Sequence, residues 1–389
     1  MSRVRLSHLS AGFIAVLVGY TSSAAIVFQA AHAAGATPAE ISSWLWALGL
    51  GMGFTCIGLS LYFKEPILTA WSTPGAALLI TGLAGLSMSE AIGIFLFNSL
   101  LITLAGFSGL FERLMRYVPK TLAAAMLAGV LLRFGVDVFV VLPTQGSLVG
   151  LMLACFLVAR RYLPLYAVPL TFFVGLGVTA ALGLFQMQHF ALTFAQPLWM
   201  TPTFSVTSLI GVGIPLFIVS MASQNVPGLA VLRANGYTTP ASPLIGFTGL
   251  AGLLLAPFGG FSFNLAAITA AMCMSKDADA DPKRRYLAAV CAGCFYVVIG
   301  VLGATVVSLF AAFPQALIVT IAGLALLGTI GNGLATALSE AKERDAAVIT
   351  FLVTASGLSL FGLNSAFWGL ALGMATAALN HRKSPSRNR

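Results

Sequence analysis

Charge is what this sequence has least of. Only 8% of its 389 residues are Asp, Glu, Lys or Arg, and its mean hydropathy is +0.97. Soluble domains carry roughly 25% charged residues, so that class is excluded. Acids are the scarcer sign: 11 against 20 bases, a net charge of +9. Cysteine occurs five times (Cys56, Cys155, Cys273, Cys291, Cys294), each time inside an apolar run. Cys291 and Cys294 have CxxC spacing but no other ligand type beside them. No disulfide, metal or cofactor is therefore expected. No His/Cys/Asp cluster, nucleophile elbow or phosphate loop stands in a supporting context, which argues against an enzyme. The series Asp277-Ala-Asp-Ala-Asp281 alternates like a calcium loop. It lacks the glycine and closing glutamate of one, and reads as a solvated loop.

What is present is a train of apolar runs. A helical span needs about 20 apolar residues. Spans are predicted near 9–33, 40–62, 87–108, 119–140, 146–161, 166–186, 206–233, 241–257, 286–311, 314–338, 345–361 and 364–381. Two further segments, 66–83 and 257–274, are apolar but broken. Arg3 and Arg5 precede the first run without a small-residue cleavage site, so it is expected to be a retained span.

The bases test the count. Counting both broken segments as crossings, bases fall before segment one and after every even-numbered segment: Arg3, Arg5, Lys64, Arg113, Arg116, Lys120, Arg160, Arg161, Arg233, Lys276, Lys283, Arg284, Arg285, Lys342, Arg344, Arg382, Lys383, Arg387 and Arg389. The odd-numbered loops have none. The positive-inside rule then puts both termini in the cytoplasm; the family resemblance given below implies that the membrane is a bacterial inner membrane. The net positive charge thus marks orientation in a lipid bilayer and not a nucleic-acid partner. Arg133 is the exception, inside segment five with Asp137 one turn later. Two readings stand: a structural i,i+4 pair, or a gating or proton-carrying role.

The halves resemble each other. Tyr20-Thr-Ser-Ser-Ala-Ala25 precedes a Gly35/Thr-Pro turn as Met221-Ala-Ser-Gln-Asn-Val226 precedes a Gly236/Thr-Pro turn. Pro119-Lys-Thr-Leu122 leads to Ala128-Gly129 as Pro314-Gln-Ala-Leu317 leads to Ala322-Gly323. Seven segments per half make the second half enter from the opposite side, an inverted repeat. The expected fold is therefore an all-α polytopic membrane protein of 14 segments, with repeats 1–200 and 201–389.

In each half the third segment is the broken one. The first break is Trp71-Ser-Thr-Pro-Gly75, and the second is Pro257 to Asn264, followed by a short helix from Leu265 to Met272. Ser or Thr, then Pro, then Gly is helix-start chemistry. A helix beginning within the bilayer leaves N–H groups that protein, water or ligand must satisfy. Two such starts meeting head to head offer an anion site with no Lys or Arg near either break. The predicted substrate-binding residues are Ser72, Thr73, Pro74 and Gly75, with Gly260, Phe261, Phe263 and Asn264 at the second break. Trp71, Phe258, Phe261 and Phe263 are expected to form an apolar wall. Segment eight adds Ser223, Gln224 and Asn225, whose consecutive polar groups need partners in an apolar span. Pro227 is expected to disrupt the helix there. Ser22 holds the equivalent place in segment one, as a packing or a binding residue.

These residues resemble a known family. Ala70-Trp-Ser-Thr-Pro-Gly-Ala-Ala77, Met221-Ala-Ser-Gln-Asn-Val-Pro-Gly228, Glu343-Arg-Asp-Ala-Ala347, Leu122-Ala-Ala-Ala-Met-Leu-Ala-Gly129 and Ser365-Ala-Phe-Trp-Gly369 are similar to the BenE benzoate/proton symporter family. More distantly, the architecture looks like the uracil/proton symporter UraA and the sulfate and bicarbonate carriers. The resemblance implies a core domain (8–108 and 206–311) moving against a gate domain (109–200 and 312–381), often in a homodimer. It implies proton-coupled import of benzoate or a related aromatic carboxylate by alternating access. Another small organic anion, a purine, or a passive anion channel are the alternatives. The nucleobase symporters carry carboxylates on segments eight and ten, where this chain has Ser223, Gln224, Asn225 and Asn264. That departure favours an anionic ligand and leaves the proton on the substrate itself or on Asp137, Arg133, His32 or Glu65.

Overall fold

The computed structural model describes residues 4–109, 119–186 and 191–382. Of the charges used for orientation, Arg3, Arg113, Arg116, Lys383, Arg387 and Arg389 lie outside the described residues. The chain is mostly helical. In order come α1 (Leu6–Ala33), α2 (Pro38–Phe63), α3 (Thr73–Gly82), α4 (Met88–Phe107), α5 (Lys120–Val141), α6 (Gly146–Tyr162) and α7 (Ala167–Ala181). An extended connection leads to α8 (Val206–Ala234), α9 (Ala241–Leu255), α10 (Ile268–Cys273) and α11 (Tyr286–Val301), which Gly303–Ala311 continues. The chain then forms α12 (Gln315–Ala337), α13 (Arg344–Ala355) and α14 (Ser365–Arg382). Among the described residues, nine helices are long and apolar enough to cross a membrane.

Two of the few acids start helices. Glu40 and Glu90 close capping boxes with Thr37 and Ser87 at the heads of α2 and α4. The largest helix pairings are α2 with α11, α5 with α12 and α4 with α9. Glycine sets how closely they approach. A Cβ on Gly49 would stand 2.4 Å from Gly300 Cα, and one on Gly106 would stand 2.2 Å from Gly246 N. Either would force the helix pair apart.

The breaks hold more than loops. Thr69–Trp71 (β1) and Phe263–Leu265 (β2) pair antiparallel, Thr69 with Leu265, Ala70 with Asn264 and Trp71 with Phe263. The second short helix therefore starts at Ile268, three residues later than expected, because 263–265 are strand. α3 starts at Thr73, and from this ribbon α3 and α10 leave in opposite directions. A sheet edge within hydrocarbon must be covered. On the β1 side sulfur covers it: Thr69 N–H donates to Cys56 Sγ at 3.1 Å, and Trp71 N–H to Met52 Sδ at 3.1 Å. On the β2 side Leu265 N–H donates to Asn225 Oδ1 at 2.9 Å.

Pro227 does not break α8. Two π-helical stretches, Leu209–Gly213 and Met221–Asn225, each stand just before a proline, Pro215 and Pro227. Proline lacks the N–H and crowds the carbonyl one turn back. A π turn widens the helix there, so the chain continues. α13 ends at Ala355, earlier than the expected 361, where Gly357 turns at φ 69°.

Candidate functional site

Both short helices start on one cavity of about 760 Å³. Its first wall comes from α1 (Tyr20, Ser22, Ser23), the head of α3 (Trp71, Thr73, Pro74), the π turn of α8 (Ser223, Gln224), the head of α10 (Ala267, Ile268, Thr269) and Tyr296. The rest of the lining includes residues of α5 (Lys120, Leu127), α6 (Phe156, Arg160) and α12 (Gly328, Thr329, Asn332, Thr336). No Asp, Glu or His is among the described lining residues.

The first wall is aromatic and fixed. Trp71 Nε1 donates to Ser23 Oγ at 2.8 Å, and Ser23 Oγ donates to Gly19 O at 2.7 Å. The Tyr20 ring stands edge-on to Trp71, with centroids 4.8 Å apart. Tyr296 lies 6.1 Å from Tyr20, centroid to centroid. Ser223 and the Gln224 amide face this space with no hydrogen-bond partner among the described residues, although Ser22 Oγ donates back to Gly19 O at 3.0 Å. A ligand therefore meets an apolar wall with polar groups waiting at its edge, a common pattern for small-molecule sites.

Five of the predicted residues line the cavity: Ser22, Thr73, Pro74, Ser223 and Gln224. Ser72 is buried behind it, its Oγ accepting the Gly75 N–H at 2.9 Å. Gly75 also stands behind, where a Cβ would lie 2.7 Å from Ser72 Oγ and 2.8 Å from Leu216 Cδ1. Asn225 and Asn264 are fully buried. Asn225 Nδ2 donates to Asn264 Oδ1 at 3.0 Å, Asn264 Nδ2 to Ser262 Oγ at 2.9 Å, and Ser262 and Ser220 hydroxyls meet at 3.1 Å. This chain ties α8 to the ribbon. Phe261 packs among Trp44 and Phe95, and Phe263 fills the space left by Gly51. Gly260 donates to Leu255 O at 3.0 Å. Of the expected aromatic wall, Trp71 lines the cavity, joined by Tyr20 and Tyr296, while Phe258, Phe261 and Phe263 do not.

The proton candidates stand elsewhere. Arg133 Nε and Asp137 Oδ2 are 4.0 Å apart, with side chains 82% and 42% exposed. His32 is exposed near the end of α1. Glu65 accepts from the N–H groups of Thr238 and Thr239 at 3.3 and 3.2 Å, and from the Thr239 hydroxyl. None of the four lines the cavity.

Sequence reasoning missed several residues. Lys120 and Arg160 count as loop charges in the sequence, yet both line the cavity. Thr329, Asn332 and Thr336 share one face of α12, a pattern that their spacing makes visible. Asp279 is not a solvated loop charge. Its side chain is 2% exposed, 2.9 Å from the buried His8 Nε2, 3.5 Å from Arg5 and 3.7 Å from Arg284. His8 Nδ1 accepts the Arg5 N–H at 3.0 Å, so Nε2 is the nitrogen that faces the acid. The Asp281 N–H, and then His8, Arg5 and Arg284, hold the Asp279 carboxyl below the usual carboxylate range.

Comparison with known proteins gives the family. Residues 2–379 match the family BenE, described as "Benzoate membrane transport protein". The chain belongs to the BenE family. Within reach of this BenE chain are "Inner membrane protein YdcO" of Escherichia coli (strain K12), 52% identical over 94% of this chain and 93% of that one, and "Benzoate membrane transport protein" of Acinetobacter baylyi, 40% identical over 95% and 94%. Among solved structures, the murine Slc26a9 anion transporter in its inward-facing state has a TM-score of 0.60 at 14% identity, covering 97% of this chain and 68% of that one. Another SLC26A9 structure, with a TM-score of 0.57 at 14% identity, covers 95% of this chain, which spans 65% of its length. The transmembrane domain of the cyanobacterial bicarbonate transporter BicA has a TM-score of 0.56 at 13% identity over 96% of both chains. The BenE chain is thus a membrane transporter with the fold of these carriers.

Proposed function

We propose that this protein imports benzoate or a related aromatic carboxylate together with a proton, by alternating access, across a bacterial inner membrane. The observation that carries the reading is the cavity of a BenE-family chain: an aromatic wall of Tyr20, Trp71 and Tyr296, unpaired Ser223 and Gln224, and no lining acid among the described residues. The ring of the substrate lies against the wall. Its carboxylate takes the Gln224 amide, the Ser223 hydroxyl and the N–H groups at the heads of α3 and α10. An acid in this place would repel such a ligand. With no Asp, Glu or His on the described lining, the reading leaves the bound ligand as the carboxylate and keeps the coupled proton at the candidates away from the cavity, Asp137, Arg133, His32 and Glu65.

The scaffold of this reading is 14 segments in two inverted repeats, 1–200 and 201–389, with both termini cytoplasmic. Pairing symmetry supports it. Exchanging the halves turns segment two against eleven into nine against four, and leaves three against ten and five against twelve unchanged. Those pairings are among the principal ones observed. The glycine contacts Gly49–Gly300 and Gly246–Gly106 obey the same exchange. The cavity separates core (8–108 and 206–311) from gate (109–200 and 312–381), the two bodies that slide in this mechanism. Lys120 and Arg160 belong to the basic, cytoplasmic ends, so this arrangement opens the site inward. A homodimer completes the reading, to be checked by mass measurement in detergent.

Radiolabelled benzoate uptake into proteoliposomes tests it. Uptake should concentrate benzoate inside when the interior is made alkaline. Saturable uptake that ignores the imposed pH gradient would remove the coupling, and no saturable uptake would remove the substrate.

A further inference from the structure

Two cations line the same cavity as the heads of the half-helices. Arg160 and Arg161 both sit in the last turn of α6, where the helix dipole suits a cation. Only Arg160 lines the cavity. Its guanidinium lies over the Phe156 ring, 5.7 Å from the centroid, and Phe156 is itself buried. α12 runs close by: a Cβ added to Gly328 would stand at ordinary contact distance, 3.8 Å, from Arg160 Nη2. Lys120 is the first residue of α5, with no acid in that turn, although a helix N-terminus disfavours a cation. Glu343, which reaches the same turn, accepts a hydrogen bond from Thr121. Among the described residues neither Arg160 nor Lys120 has an ion-pair partner. Both side chains are exposed to this open space, so two solvated cations stand free on the lining of a cavity that holds no acid among the described residues.

The geometry points to a second anion-binding station, formed by Arg160 with Lys120 on the gate-side wall, that takes the substrate's carboxylate as it moves between the half-helix site and the mouth. Arg160 supplies the planar fork that matches a carboxylate, and Phe156 keeps that fork in place. Lys120 adds a point charge that raises the local anion concentration. The two stations belong to different helix sets, the core and the gate of the reading above, so sliding one set past the other changes which station the ligand can reach. The ligand class rests on the function proposed above; the charge at this place does not.

The experiment separates the two. A thiol introduced by Ser223→Cys on the half-helix side is reacted with a sulfonate-bearing and an ammonium-bearing methanethiosulfonate, and the labelled peptide is followed by mass spectrometry. In the otherwise unchanged protein the anionic reagent is favoured. Adding Arg160→Gln should lower the anionic-to-cationic rate ratio roughly threefold, the scale of one charge acting through a partly watery cavity. Arg160→Lys and Arg161→Gln should preserve the ratio. An unchanged ratio in Arg160→Gln, or an equal fall in Arg161→Gln, overturns the station whatever the substrate is. Should Arg160→Gln not fold, Lys120→Gln gives the same comparison with the same expected direction. In parallel, Arg160→Gln should weaken benzoate binding roughly tenfold, the worth of one charge-assisted hydrogen bond, and leave the neutral isostere benzamide unchanged. Equal loss for both ligands makes Arg160 a shape-filling residue and overturns the proposal. A charge effect at Arg160 in a protein that binds no benzoate keeps the station and removes the aromatic carboxylate.

Discussion

The two broken segments start their helices in opposite ways. α3 is closed at its head: Ser72 Oγ takes the Gly75 N–H, Ser72 O takes the Ala76 N–H, and Pro74 has no N–H to place. Only the Thr73 N–H is left without an acceptor among the described residues. α10 is open. Its N-cap is Ala267, whose side chain can accept nothing, and the N–H groups of Ile268, Thr269 and Ala270 have no acceptor among the described residues. A pair of half-helices that looks symmetric as a topology is therefore asymmetric as chemistry. α3 brings rigidity and the Trp71 wall, whereas α10 brings donors. α10 is anchored beyond its end instead, where Arg285 donates to Met274 O at 2.7 Å and to Asp279 O at 2.8 Å.

The largest way to break the comparison is to cut the ribbon that both helices share. Asn225→Ala orphans the buried Leu265 N–H and one Asn264 contact, and should cost roughly 3 kcal/mol in thermal or denaturant unfolding, with uptake lost. Unchanged stability would mean that the ribbon edge is covered some other way. Next is the polar edge of the cavity. Gln224→Ala removes an amide that has no hydrogen-bond partner among the described residues, so stability should move by less than about 0.5 kcal/mol. Benzoate affinity should fall roughly tenfold by titration calorimetry, the worth of one hydrogen bond to a charged group. Ser72→Ala opens the head of α3 so that it resembles α10. It should cost about 1 kcal/mol, the usual worth of a cap, with a smaller effect on affinity than Gln224→Ala. A larger affinity loss for Ser72→Ala would reverse the roles given to the two helices.

The smallest effect concerns the anchor beyond α10, and it depends on pH. The folded-state pKa of Asp279 is lowered, so its contribution is present above the unfolded value and is lost as pH falls through the folded one. Asp279→Asn should lower the melting temperature at neutral pH. The gap to the unaltered protein should narrow below about pH 4, where free carboxyls take up protons. A gap that widens on acidification would contradict this sign.

Much of the scaffold was legible because the bilayer imposes it. Apolar runs need no tertiary knowledge, and Ser72-Thr-Pro-Gly75 announces a helix start by its own chemistry. The ribbon was not legible. Strands of three residues carry no periodicity, and their edge partners, Cys56, Met52 and Asn225, come from two other helices. This is why Phe261 and Phe263 were expected at the ligand and lie in the core: only the partner helices, with Gly51 opposite Phe263, decide which face of a strand is buried. Asn225 was legible as a residue needing partners, but its partners are protein groups. Lys120 and Arg160 were counted as loop charges because sequence gives the depth of a residue in the membrane more readily than its rotation about a helix.

The π turn at Met221–Asn225 also has a genetic consequence. It is one residue more than an α-helix would hold over the same rise, so it is where a single-codon deletion could be absorbed with the helix intact. Such a deletion would nevertheless take a residue out of the turn that sets Ser223 and Gln224 at the cavity and Asn225 at the ribbon. Reading-frame-preserving length variation should therefore be tolerated in the extended connection before α8 and selected against within five residues of its polar turn.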